Sequence, residues 1–262
     1  MNPVVSRGGY GRRNRVTDDE QRTLVATIRW ISIPRGVLSR GTPADQIDAV
    51  VRAHTDLGLP RSYFAKEAPR QVVEVAAFTI AATPVTSDLW RAFATNTGVS
   101  TAASTPSGHP IDGVRWEQAD LFCVWLSDRL GEPFRLPTED QWERAARGDD
   151  GREYPWGDRF DAACANLAEA RVGSTTPVGS FPRGASPFGL LDLAGNVDEW
   201  TATVYAPYPG APADVPAQES WALDAHVTRG GSWRQHRDLA RCARRHGVYP
   251  GNVGAGIRLV RD

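Results

Sequence analysis

The feature that most restricts what this chain can fold into is a loss of pattern. Past Gly148, roughly a hundred residues run in Gly, Pro, Trp, Asn and Asp with little periodicity, far more than the structureless connections of a compact domain. Only short strand-like pieces such as His226–Arg229 interrupt it. Regular backbone pairing cannot hold such a stretch, so buried tryptophans and bound cations are the physical candidates.

Upstream, ordinary elements are expected. Thr23 to Pro34 is β-branched and aromatic and predicts a strand; Val72 to Ile80 alternates and predicts a second. Ile47, Val50 and Val51 suggest a helix within Ala44 to Leu57, and Ser87 is an N-cap candidate for a helix carrying Leu89, Trp90 and Phe93. Gly98 to Gly108 is small and polar, hence loop. Trp116 to Leu130 has helical spacing closed by Gly131. Thr138, with Gln141 three residues on, opens a further helix through a capping box.

Composition excludes several classes. The 262 residues are 41% hydrophobic and 23% charged, as in globular proteins. Thirty basic residues face thirty-one acidic ones, so no global field steers the chain to nucleic acid or a membrane surface. All the basic residues but Lys66 are arginine, which with a single Met reads as coding bias. The longest mostly apolar run, Val72 to Ala82, is too short to span a bilayer. Residues 1–22 are expected to be a flexible basic tail without a signal-peptide pattern, and 23–262 a single domain. Three scattered cysteines suit a reducing compartment, and the cytoplasm is expected.

Four ordered motifs carry the most information: FRLPTEDQWERAARGDDGREYPWGD (Phe134 to Asp158), FGLLDLAGNVDEW (Phe188 to Trp200), VTRGGSW (Val227 to Trp233) and GIRLV (Gly256 to Val260). Together with WISIPRGVLSRG, FTIAATPVTSDLW and HPIDGVRWEQADLFCVWL upstream, the set closely resembles the formylglycine-generating enzyme (sulfatase-modifying factor) family from about Trp30 to Val260. The resemblance implies an α+β chain with the C-type lectin-like fold: few regular elements, much ordered loop, and a C-terminal strand returning beside the first.

DLAGNVDE has a chemistry of its own. Asp192 and Glu199 flank Gly195, whose freedom lets carbonyls turn inward, and mixed carboxylate and carbonyl oxygen suits calcium. A tight turn whose acids cap neighbouring amides is the alternative. The resemblance implies a structural calcium held by the Asp192 and Glu199 side chains and the Gly195 and Val197 carbonyls. It implies a second calcium at Asn166 and the Leu167 carbonyl, where an expected aspartate aligns with Ala170.

Formylglycine generators bind copper(I) through two cysteines just past the RGGS stretch, a site that needs soft sulfur. Here those positions read Gln235 and the Leu239–Ala240 region, so no copper–thiolate site is expected. Cys123 and Cys242 match positions that are disulfide-bonded in secreted relatives, but Ala146 stands for one partner and the other is missing. They and Cys164 are expected to be packed thiols.

The candidate cleft is polar. Ser232, Gln235, His236 and Asp238 are the catalytic candidates; Trp233, Arg234, Arg237, Arg241, Arg244 and His246 are the ligand-binding ones. Three readings stay open. His236 and Asp238, completed by His226 or His246, could hold iron at a nitrogen/oxygen site. The arginines could grip a carboxylate or phosphate. Or they stack on Trp233 and Trp200, or pair with Asp198 and Asp238, and only hold loops. Trp116, Trp142, Trp156, Trp200 and Trp233 are expected to pack the loop-rich half, whereas Trp221 is a rim candidate.

Two functions follow. The first is a metal-dependent oxidoreductase on a small molecule or peptide, as the resemblance to the pyoverdine-maturation oxidase branch implies. The second is a non-catalytic recognition module, like retroelement variable proteins, contacting a ligand or protein partner through Arg234 to Tyr249.

Overall fold

A computed structural model describes residues 23, 25–100, 105–216, 225–247 and 255–261. The expected tail, Trp221 and Tyr249 lie outside them. Thr23, Val25 and Ala26 are helical, so the first strand, β1 (Trp30–Ile33), starts later than its β-branched run suggests. β2 (Gly36–Arg40) follows, then helices α1 (Ile47–Ala53) and α2 (Arg61–Ala65). The predicted second strand is two: β3 (Gln71–Val75) pairs with β2, and β4 (Phe78–Ala81) pairs with β1 in another sheet. Alternation continues through both, which hides the break.

Helix α3 (Ser87–Thr97) is capped at Thr86, one residue before the expected cap, and the Ser87 hydroxyl instead donates to the Pro106 carbonyl at 2.6 Å. Helix α4 (Trp116–Leu130) ends at Gly131 in the left-handed conformation, φ 71°. After β5 (Phe134–Arg135), helix α5 (Glu139–Arg147) starts with the predicted box: Thr138 Oγ1 accepts from the Gln141 N–H, and the Gln141 side chain accepts from the Thr138 N–H. β6 (Glu199–Val204) pairs with β7 (His226–Arg229). The terminal strand, β8 (Val260–Arg261), lies between β4 and β5, in the order β1-β4-β8-β5. It therefore returns one strand away from β1 instead of beside it. No helix of the described residues is long and apolar enough to cross a membrane.

Two apolar cores flank this sheet. On one side α3 and α4 bring Trp90, Phe93, Phe122 and Leu126 against Trp200, Ile257 and Leu259. On the other, Trp142, Ala145 and Ala146 of α5 cover Ile33, Leu38, Phe78, Ile80 and Val260, together with Cys242.

The loop-rich half is held partly as expected. Indole N–H groups of Trp142, Trp200 and Trp116 donate to Glu199, the Val114 carbonyl and the Thr201 carbonyl at 2.7, 2.7 and 3.0 Å. The chain's own guanidiniums add internal cations. Arg229 pairs with Glu139 at 2.7 Å and Glu143 at 2.9 Å; Arg245 grips both Glu139 oxygens at 2.7 and 2.8 Å; Arg147 reaches Glu143 at 3.0 Å. All five residues are buried. Burial alone would raise the Glu139 pKa, but Arg245 and Arg229 overrule it and hold the carboxyl below its usual range.

Candidate functional site

The segment after β7 forms one wall of a cavity of about 350 Å³, lined by Arg234, Gln235, His236, Asp238, Leu239 and Arg244. The other wall is Leu57 and Leu59, from the stretch between α1 and α2, and Tyr63 of α2. Sequence reasoning missed that wall, because about 170 residues of chain separate the two sides and no local pattern couples them. The apolar Leu57 and Leu59 just ahead of the α2 start were the available signal.

Both positions at which the resemblance implies copper-binding thiolates, Gln235 and Leu239–Ala240, fall at or beside this cavity. Gln235 Oε1 accepts from the Ser232 N–H at 2.8 Å, Leu239 lines the apolar side, and Ala240 packs inward against Leu167 and Ala194. The three cysteines are free and buried. Burial pushes the Cys242 thiol up to about 12, and raises those of Cys123 and Cys164 too.

The iron candidates are not brought together. His236 is exposed, with Nδ1 at 3.3 Å from Glu169. His246 is buried against Asp198 at 2.9 Å, and His226 stacks on the Trp116 ring at 3.6 Å. Asp238 stays inside, 3.6 Å from Arg244. Among the described residues no three His, Cys, Asp or Glu side chains are grouped to hold a metal. His236 and Asp238 are two positions apart in sequence, but the loop turns their side chains in different directions, and His226 and His246, ten residues to either side of His236, are held elsewhere.

The ligand-binding candidates divide. Arg234 and Arg244 line the cavity. Arg241 does not: it is wholly buried, paired with Glu67 at 2.7 Å and also with Glu153. Arg237 is bound to Asp56 at 2.6 Å, His246 is interior, and Trp233 lies under the Arg234 guanidinium at 4.2 Å. Arg237 and Arg241 are thus engaged by carboxylates, Asp56, Glu67 and Glu153, and not by the Asp198 or Asp238 of the loop-holding alternative. Ser232 is buried beside the cavity and supplies the N–H that fixes Gln235.

The oxygen-rich turn is tight. Asp192, Gly195 and Asn196 all have left-handed φ, at 57°, 72° and 66°. A Cβ on Gly195 would come 2.3 Å from the Asn166 carbonyl oxygen, so only glycine fits there. Asp192 accepts from the Gly179 N–H at 2.7 Å, and burial pushes its carboxyl up to about 6. No donor among the described residues uses the Gly195 or Val197 carbonyl. Glu199 is already neutralised: Arg258 holds both its oxygens at 2.6 and 2.8 Å, and Trp142 donates to one. Asp192, Gly195 and Val197 thus fit a hard cation in donor type, with Asp192 the unneutralised anion. The second set is poorer in donors. Asn166 Oδ1 is buried without a partner, but the Leu167 carbonyl accepts from the Ala170 N–H at 3.0 Å and Ala170 brings no carboxylate.

Two apolar cores around a short-stranded sheet, long loops pinned by indoles and arginines, and a cleft behind the RGGS turn define a C-type lectin-like α+β domain of the formylglycine-generating-enzyme type. The chain matches the sulfatase-modifying factor enzyme 1-like domain over residues 16–262 and belongs to that family. It is 31% identical to the hercynine oxygenase of Mycolicibacterium thermoresistibile over 75% of this chain and 53% of that protein, so it spans about half the length of that relative. It is 38% identical to the inactive C-alpha-formylglycine-generating enzyme 2 of Mus musculus over 47% of this chain and 37% of that protein. The structure of PvdO from Pseudomonas aeruginosa superposes with a TM-score of 0.70 at 26% identity, covering 89% of this chain and 94% of that one.

Proposed function

We propose that this chain is a divergent formylglycine-generating-enzyme-like protein that acts on a small molecule as an oxidoreductase and does not oxidise sulfatase cysteines. The observation that carries this is the cavity itself. Gln235 and Leu239 line it where thiolates would be needed, and its mixed apolar and charged walls suit a small ligand. The 31% identity to a hercynine oxygenase supports oxidation of a small molecule. Iron held by His236 and Asp238 is no part of this reading, because their side chains are not assembled with a third ligand. Calcium bound by Asp192 and the Gly195 and Val197 carbonyls belongs to it, as a structural ion. Three buried thiols free of disulfides support a cytoplasmic location. A single domain over 23–262, with 1–22 as a tail, completes the proposal.

The experiment is metal analysis of protein purified without chelator, followed by dioxygen uptake over a panel of thiols and phenols. Uptake with a small substrate and none with a sulfatase-derived cysteine peptide is expected. Aldehyde formation on that peptide overturns the reading. A second reading, a non-catalytic recognition module, is favoured by the exposed Arg234 and His236 on one surface segment. Calcium alone, with no uptake on any substrate, selects it.

A further inference from the structure

The polar groups of the cavity are balanced in sign. Arg234, at the rim, is tied to Asp112 at 2.9 Å. Arg244, in the interior, is 1% exposed and lies over the faces of Phe64 and Tyr63 at 5.4 and 5.9 Å. Its Nη1 donates to the Arg245 carbonyl at 2.8 Å, while its Nε has no hydrogen-bond partner. The nearest carboxylate oxygen, Asp238 Oδ2, is 3.6 Å from that Nε, too far for a good hydrogen bond. Asp238 is itself 3% exposed, and no donor among the described residues reaches its carboxylate at hydrogen-bond distance. The pair therefore stops short of a hydrogen bond: Arg244 Nε is buried without a partner, and the Asp238 carboxylate beside it accepts from no protein donor among the described residues.

Ligand chemistry follows from that geometry. A phosphate dianion would meet Arg244 but also the Asp238 charge. A simple carboxylate leaves Asp238 unanswered, and a simple amine leaves Arg244 unanswered. A zwitterion answers both. Leu57, Leu59 and Leu239 offer an apolar wall for the rest of the molecule. The volume, about 350 Å³, is near the small end of the roughly 300–1,000 Å³ range of ligand sites.

We propose that the cavity is a zwitterion clamp for a free α-amino acid with an apolar side chain. Its carboxylate sits on Arg244, its ammonium on Asp238 and its side chain against Leu57 and Leu59. This rests on the reading of the cavity as the ligand site, and it replaces the phosphate alternative.

Calorimetric titration of the full chain with phenylalanine, leucine, hydrocinnamate, phenethylamine and phenyl phosphate tests it. At least one amino acid is expected to bind, with the single-charge analogues weaker by about tenfold or more, the worth of one charged hydrogen bond. Asp238→Asn should weaken the amino acid and tighten hydrocinnamate, which no longer faces a like charge, so that the gap between the two closes. Arg244→Gln should abolish binding of both. Since a change at buried Arg244 can unfold the chain, Leu59→Trp at the half-buried wall serves as a second probe, expected to block binding with an unchanged circular dichroism spectrum. The proposal is overturned by phenyl phosphate or hydrocinnamate binding as tightly as the amino acids, by indifference to Asp238→Asn, or by no amino acid binding. Amino-acid binding without oxygen uptake removes the redox reading and keeps the clamp. Uptake on a phenol that ignores Asp238→Asn does the reverse.

Discussion

The part of the molecule around α3 and α4 and the part beyond Gly148 reach stability by different means. In the first, Trp90, Phe93, Phe122 and Leu126 interlock as apolar side chains, with aromatic centroids 4.9 to 5.6 Å apart. In the second, fixed loops depend on carboxylates that each hold two arginines or an arginine and an indole. Apolar packing follows a period along the chain; ion pairing does not, and the difference shows how each half should fail.

The largest expected effect is at Glu139→Gln, which leaves Arg229 and Arg245 without their shared anion. Removing one partner of a buried pair costs about 3–5 kcal/mol, read from urea unfolding near neutral pH. The pH dependence sharpens the contrast. Glu139 has its carboxyl held below the ordinary 4.5, so its contribution is complete above that value and is lost as pH falls through the depressed one. Wild-type and Glu139→Gln stabilities should therefore converge in acid; a constant gap would break the comparison.

Phe122→Ala, in the apolar core, should cost a similar amount, about 3–5 kcal/mol, but with a gap that does not close in acid. A smaller effect is expected from calcium. EDTA should lower the melting temperature by several degrees, since an ion at a hundred times its Kd contributes about 2.7 kcal/mol. Asp192→Asn should abolish that response; an EDTA-insensitive wild-type melting curve counts against the clip. The smallest change is Thr138→Ala, which removes the cap of α5 and should cost about 1 kcal/mol at any pH.

Much of the first region was legible in the sequence because its signals are local. Gly131 and the Thr138–Gln141 pair fix helix ends within a few residues of themselves. The strand break at Ala76 and Ala77 was not legible, since alternation runs through it while the partner strand changes. The cleft was half legible. The RGGS-proximal residues could be named, yet whether each arginine faced a ligand or a carboxylate depended on remote residues: Glu67 meets Arg241 across 174 positions, and Asp56 meets Arg237 across 181. The divergence of His236 and Asp238 was hidden for a similar reason, as closeness along a loop does not set where side chains point.

Guanidinium groups supply the cation in five buried ion pairs, at Arg147, Arg229, Arg241, Arg245 and Arg258. Such a group keeps its proton at any alkalinity a living cell meets. Base therefore has no purchase on these contacts, and the framework should tolerate alkaline media far better than acidic ones. The lysine-poor composition, read at first as a trace of coding bias, leaves the fold with a one-sided tolerance.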